Sequence, residues 1–138
     1  MVTTLDMAQG LPLFFVYDKK KKNTIAILLE DIKYTFNGKE HIIPKGFRSD
    51  GASIPKFFWR LIGHPFNMAY LREAIFHDYL YATQIYSKEE ADMMLYTDTS
   101  IYLAKRKRKL MYAGLKMFGW IAWNKHKKSL LEKQKDNA

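Results

Sequence analysis

The hydrophobic pattern of the chain changes near residue 50. Before this point, short apolar runs alternate with turn residues, and Asn37-Gly38 is a dipeptide typical of β-hairpin turns. After it, apolar residues recur at helical spacing. The pattern predicts an α+β fold, with a small N-terminal antiparallel β-sheet in 1–50 and about three helices in 51–134. We expect a single domain that ends in a frayed tail at 135–138.

The helices of the second part are predicted from their end signals. Asn67 can cap a helix that runs to about Ala82, and Ser87-Lys88-Glu89-Glu90 is a capping box that opens the next helix. The short loop between them predicts an antiparallel helical hairpin. A short helix is predicted over 56–62, and a long basic helix from about 101 or 105 to about 133 closes the chain.

Composition restricts the chemistry that the chain can carry. It contains no cysteine, so any metal must be bound by oxygen and imidazole ligands. The N-terminus lacks the pattern of a secretory signal, and no apolar run approaches the roughly 20 residues that span a bilayer. We therefore expect a soluble protein inside a cell.

His77 and Asp78 are the pair most informative about function, because a histidine beside a carboxylate supplies a near-neutral base and an anionic ligand at one place. Asp92 follows fifteen residues after His77. With a loop over 83–86, His77 and Asp92 are equally far from its centre, so an antiparallel hairpin places them at the same height. A carboxylate there can accept a hydrogen bond from His77 and fix its tautomer, as in an acid–base pair. Tyr81 lies one turn further along the same helix face as His77.

Several stretches resemble a family of short, uncharacterised phage and prophage proteins, domain of unknown function 1353. They are Phe47 to Pro55, His77 to Tyr81, Ala91-Asp92 and the aromatic segment Tyr112 to Trp123. The resemblance covers about residues 40–125. It implies a phage or prophage origin, synthesis in the cytoplasm of the bacterial host and a protein that could be incorporated in the virion, but no established activity.

A local stretch resembles secreted phospholipases A2, which carry His-Asp-x-x-Tyr on one helix and a later Asp on its antiparallel partner. The resemblance implies a catalytic set of His77, Tyr81 and Asp92, in which His77 activates water and Asp92 orients His77. It also implies that Asp78 binds a divalent cation such as calcium, with Asp50 and the loop after it as the candidate source of further oxygen ligands. This loop lacks the glycines and cysteines of the family's calcium loop.

Two other interpretations fit the same residues. Metal-dependent phosphohydrolases use an upstream His, a His-Asp pair and a later Asp, an order that His41 or His64, His77-Asp78, and Asp92 or Asp98 would also satisfy. A plain structural interpretation is that His77 hydrogen-bonds within a core and that Asp50 is a turn or cap residue.

The last helix is predicted to present a basic aromatic stripe to its surroundings. Residues 103–138 hold eleven Lys and Arg against two Asp and Glu, whereas the twelve basic and twelve acidic residues of 1–102 cancel, so this segment carries the whole net charge of +9. At 100° per residue, one side of about 80° carries Tyr112 and the candidate surface residues Lys105, Lys109, Lys116, Trp120, Trp123 and Lys127. The opposite side, which includes Met117 and Ile121, is predicted to pack on the domain.

Such a stripe suits an anionic membrane surface, nucleic acid or an acidic phage protein. A solvated face with its aromatic rings covered is the plain alternative. The leading hypothesis is an ester hydrolase with a His77/Asp78/Asp92 site that acts at an anionic surface. The alternative is a non-enzymatic virion or phage-assembly component that docks through the basic aromatic helix. The sequence leaves the oligomeric state open.

Overall fold

A computed structural model describes residues 11–50, 59–60 and 70–137 of the chain. The chain divides into two compact units, Met1–Asp50 and Gly51–Ala138. The boundary coincides with the change of hydrophobic pattern in the sequence. The α+β fold class is confirmed, since antiparallel strands near the N-terminus are followed, within residues 70–137, by three helices of which the last is long.

The first unit is built from antiparallel strands. They are β1 (Leu13–Asp18), β2 (Asn23–Leu28), β3 (Ile32–Phe36), β4 (Lys39–Ile43) and β5 (Arg48–Ser49). Strands β1, β2 and β5 form a three-stranded sheet in that order, and β3 pairs with β4 in a separate two-stranded sheet. Asn37 and Gly38 both have positive φ at the β3–β4 turn, which the predicted hairpin dipeptide favours.

The described part of the second unit consists of α1 (Leu71–Thr83), α2 (Lys88–Asp98) and α3 (Lys105–Asp136). The predicted capping box is confirmed at α2, where Ser87 Oγ accepts a hydrogen bond from the Glu90 backbone N–H at 3.1 Å. Helix α1 begins after Tyr70. The predicted cap Asn67 lies outside the described residues, and so does most of the predicted helix at 56–62.

The three helices bury apolar side chains against one another. Helix α1 contributes Ile75, Phe76 and Leu80; α2 contributes Ala91, Met94 and Leu95; and α3 contributes Met111, Leu115 and Ala122. Helix α3 is further tied to α2 by Arg108, which donates a hydrogen bond to the Tyr96 carbonyl oxygen at 3.1 Å. Among the helices that the structure describes, none combines the length and the apolarity needed to cross a bilayer.

Candidate functional site

The α1–α2 hairpin brings His77 and Asp92 together as the sequence predicts. His77 Nε2 lies 2.9 Å from Asp92 Oδ1, so the expected contact is confirmed. The Tyr81 hydroxyl donates to the same oxygen at 2.7 Å. Asp92 Oδ1 therefore accepts hydrogen bonds from both His77 and Tyr81 of the predicted set.

Lys88 occupies the other oxygen of Asp92. Its Nζ donates to Asp92 Oδ2 at 2.7 Å and to the carbonyl oxygen of Leu115 on α3 at 2.8 Å. The ammonium also lies 5.0 Å from the centroid of the Trp120 ring. We call the four side chains His77, Tyr81, Lys88 and Asp92 the polar cluster, and it joins all three described helices of the second unit.

The polar cluster is sealed from solvent. His77 is 1% exposed, Asp92 2% and Lys88 4%, and Tyr81 is equally buried. Burying a carboxylate in this way is costly unless its charge is compensated and its oxygens are hydrogen-bonded. Lys88 supplies the compensating charge, and the three donors satisfy both oxygens of Asp92.

The electrostatics of the cluster fix the proton positions. Burial opposes ionisation of Asp92, but hydrogen bonds from His77, Lys88 and Tyr81 lower its pKa below the ordinary 3.8. Burial, and then the charge of Asp92, raise the pKa of Tyr81, so its hydroxyl keeps its proton. An ionised Asp92 can only accept, so His77 Nε2 carries the proton of that bond. In neutral His77 the lone pair is therefore on Nδ1.

Helix α3 passes close to the polar cluster at Gly119. A Cβ atom placed there would lie 2.6 Å from the Tyr81 hydroxyl oxygen and 3.1 Å from Lys88 Cε and Nζ. Trp123 lies on the same side and meets the Tyr81 ring edge-on, with 5.2 Å between the centroids. A glycine is therefore required for the close approach of α3.

Sequence reasoning missed Lys88 and Gly119. Lys88 belongs to the capping box, where a basic residue is expected to be solvated. Its spacing of four residues from Asp92 on one helix was the available signal, because such residues are neighbours on the helix surface. Nothing in the sequence distinguishes Gly119 from Gly114 on the same helix, since the need for a glycine arises only from the neighbours on α1 and α2.

The structure divides the predicted surface stripe. Lys105, Lys109, Lys116, Trp120 and Lys127 are exposed. The prediction is wrong for Trp123, which is only 9% exposed. The side of α3 that packs on the other helices includes Trp123, whose ring contacts the ring of Tyr81. The prediction that Met117 and Ile121 are buried is also wrong, because both lie outside the packed side of α3 and are exposed.

The predicted cation ligands belong to different units. Asp78 is buried on α1, and Asp50 is the last residue of the first unit. The loop that was expected to supply further oxygens, 51–58, lies outside the described residues, as does His64. Within the described part of the chain, no group of three or more His, Cys, Asp or Glu side chains is placed to hold a metal ion.

Comparison with known proteins places the chain in a family without an assigned activity. It is 50% identical over 48 residues to "Uncharacterized protein y4jT" of Sinorhizobium fredii, a stretch that covers 35% of this chain and 14% of that protein. The chain thus spans only a small part of this relative's length. No solved structure matches the present chain. The model of the family described as "Protein of unknown function (DUF1353)" matches residues 26–115, which include the whole polar cluster and more than half of the chain. The chain therefore belongs to the DUF1353 family.

Proposed function

We propose that this protein is an ester hydrolase in which His77 is the general base and Asp92 holds and stabilises it. The observation that carries the proposal is the pair of hydrogen bonds to Asp92 Oδ1, from His77 Nε2 and from the Tyr81 hydroxyl. They hold the imidazole in the tautomer whose Nδ1 lone pair can take a proton from water. The local likeness of this helix to secreted phospholipases A2 suggests the ester class.

The proton moves through His77 in both directions. Nδ1 takes a proton from a water molecule as the water oxygen bonds to the ester carbonyl carbon. The imidazolium is stabilised by the carboxylate of Asp92 on its other side. The bond from the carbonyl carbon to the alcohol oxygen then breaks, and Nδ1 returns the proton to that oxygen. The products are a carboxylic acid and an alcohol.

The burial of His77 sets a requirement on this reaction. With 1% of the side chain exposed, water and ester reach Nδ1 only after neighbouring side chains move. The predicted cation stays a prediction, carried by Asp78 and Asp50, and the steps above do not use it. A metal-dependent phosphohydrolase is less favoured, because hydrogen bonds within the polar cluster engage both oxygens of Asp92.

The alternative is a non-enzymatic docking protein, in which the polar cluster only fastens three helices. In some proteins, buried ionic and hydrogen-bonded groups specify how elements pack, and this cluster would do so for the three helices. The phage origin and the virion or assembly role belong to this alternative as predictions from the family resemblance.

A hydrolysis assay separates the two. Fatty acid released from vesicles of phosphatidylglycerol and phosphatidylcholine would be titrated at constant pH, with wild type, His77→Gln and Asp92→Asn. A general base contributes roughly 10²- to 10⁴-fold, so we expect each variant to lose at least about 10²-fold in rate. His41→Gln makes the same chemical change in the other unit and should keep the wild-type rate.

The melting temperature shows whether each variant is folded in the assay. The proposal is wrong if the wild type releases no fatty acid with or without added calcium, or if a folded His77→Gln protein keeps the wild-type rate. A folded but inactive wild type would favour the docking protein.

A further inference from the structure

Helix α3 exposes large apolar side chains outside its packed side. Ile121 is 75% exposed, Met117 69% and Trp120 44%. At 100° per residue these three lie within about 100° of arc. Exposed Ala113 falls in the same sector, so its apolar part extends for about 12 Å along the helix, from Ala113 to Ile121, at 1.5 Å per residue. Beyond Ile121 the polar residues Asn124 and Lys128 lie in this sector. We call the surface formed by the four apolar residues Ala113, Met117, Trp120 and Ile121 the apolar strip.

The apolar strip is distinct from the side of α3 that packs within the second unit. That packed side contains the buried residues Met111, Leu115, Gly119, Ala122 and Trp123. It already supplies the core contact that an amphipathic helix needs. The apolar strip adds nothing to that core contact, and clustered exposed apolar side chains of this kind are a candidate site of interaction.

Lysines border the apolar strip on both sides. The helix wheel places Lys109, Lys116 and Lys127 along one border and Lys107 and Lys125 along the other, and all five are exposed. No acidic residue occurs between Lys105 and Leu131. The strip and its borders therefore combine aliphatic and aromatic side chains with an uninterrupted positive charge.

We propose that the apolar strip of α3 and its bordering lysines dock on an anionic phospholipid surface, with the helix lying in the plane of the headgroups. Met117 and Ile121 enter the acyl boundary, Trp120 sits at headgroup level, and the lysine stems extend sideways to the phosphates. The proposal deepens the ester hydrolase, since it names the phase in which the substrate lies, and to that extent it rests on the proposed function.

Two other occupants fit the strip less well. Nucleic acid would use the lysines and stack on Trp120, but it offers no apolar environment to Met117 and Ile121. A second copy of the chain would cover the apolar side chains, but symmetric pairing would place two lysine-bordered strips against each other. A bilayer that contains anionic lipid complements both the charge and the apolar surface.

Trp120 links the strip to the polar cluster. Its side chain is partly exposed, and its ring centroid lies 5.0 Å from the buried ammonium of Lys88, which in turn donates a hydrogen bond to Asp92. A lipid surface that contacts Trp120 would therefore be linked through Lys88 to Asp92, the carboxylate that orients His77. This is a physical connection between docking and the candidate base.

Vesicle co-sedimentation tests the docking directly. Wild type is mixed with vesicles of phosphatidylglycerol and phosphatidylcholine, and separately with vesicles of phosphatidylcholine alone, at low and high salt. We expect binding to the anionic vesicles that weakens with salt. Lys116→Gln and Lys127→Gln should each lower the partition coefficient about fivefold, the effect of about 1 kcal/mol per lysine near the surface. Met117→Ser with Ile121→Ser should lower it at least tenfold.

Matched variants separate docking from folding and from catalysis. Met93→Ser changes an exposed methionine on α2 and should bind as wild type does. His77→Gln should also keep vesicle binding, so a failure of hydrolysis and a failure of docking are read independently. The proposal is overturned if the anionic vesicles do not bind, or if binding is unchanged in the Met117/Ile121 double variant. It is also overturned if the double variant instead abolishes binding to single-stranded DNA or self-association in sedimentation velocity.

Discussion

Replacing Gly119 by Ala adds one methyl group at the point where α3 approaches the polar cluster. On helix propensity alone, the change stabilises a helix interior by about 1 kcal/mol. The new Cβ would, however, lie 2.6 Å from the Tyr81 hydroxyl oxygen and 3.1 Å from Lys88 Cε and Nζ. Both neighbours are held by Asp92, so neither can move without weakening its hydrogen bond.

The magnitude follows from these opposed effects. Overpacking of a buried site costs about 1–3 kcal/mol, and a weakened hydrogen bond to a charged group adds about 1 kcal/mol. Set against the gain in helix propensity, Gly119→Ala should destabilise the protein by about 1–3 kcal/mol. Urea unfolding followed by circular dichroism measures this difference.

A double-mutant cycle with Tyr81→Phe identifies the contact that causes the loss. Phenylalanine lacks the hydroxyl that lies nearest to the new Cβ, so Gly119→Ala should cost at least about 1 kcal/mol less in the Tyr81→Phe background. If Gly119→Ala instead stabilises both backgrounds equally by about 1 kcal/mol, α3 does not approach Tyr81 as described, and the argument from the polar cluster fails.

Three further predictions concern the same helices. Lys88→Met leaves the buried charge of Asp92 without its counterion and should cost about 3–5 kcal/mol in urea unfolding at neutral pH. Ser87→Ala removes the acceptor of the Glu90 N–H and should cost about 1 kcal/mol in the same assay, and no loss would show that the cap adds nothing. Because folding lowers the pKa of Asp92, its carboxylate stabilises the folded protein at pH values above the ordinary pKa of 3.8. This stability is lost as the pH falls through the pKa of Asp92 in the folded protein. Stability measured against pH should therefore fall below about pH 4 in wild type and fall less steeply in Asp92→Asn; parallel curves would contradict the assignment.

Local signals in the sequence were sufficient where short-range chemistry decides the structure. The Asn37-Gly38 turn and the Ser87 cap each depend on a few neighbouring residues, and both form as predicted. The contact of His77 with Asp92 also followed from sequence, because a short loop fixes the register of an antiparallel hairpin.

The orientation of α3 could not be obtained in this way. Its sequence carries apolar and aromatic residues on more than one side, so periodicity alone allows several faces to pack. Which face packs depends on the side chains of α1 and α2. Gly119 and Trp123 are buried against them, whereas Met117 and Ile121 remain exposed. Tertiary contacts of this kind also decide that Lys88 is buried on Asp92 and not solvated at the start of α2.

The protonation of His77 is the most direct test of the claim that Asp92 prepares it as a base. Long-range ¹H–¹⁵N correlation spectra of the imidazole distinguish a protonated Nε2 from a protonated Nδ1 in neutral histidine. We predict that His77 is protonated on Nε2, with the lone pair on Nδ1, and that Asp92→Asn removes this preference. A neutral His77 protonated on Nδ1 in the wild type would contradict the account, because Nε2 would then face the Asp92 carboxylate without a proton to donate.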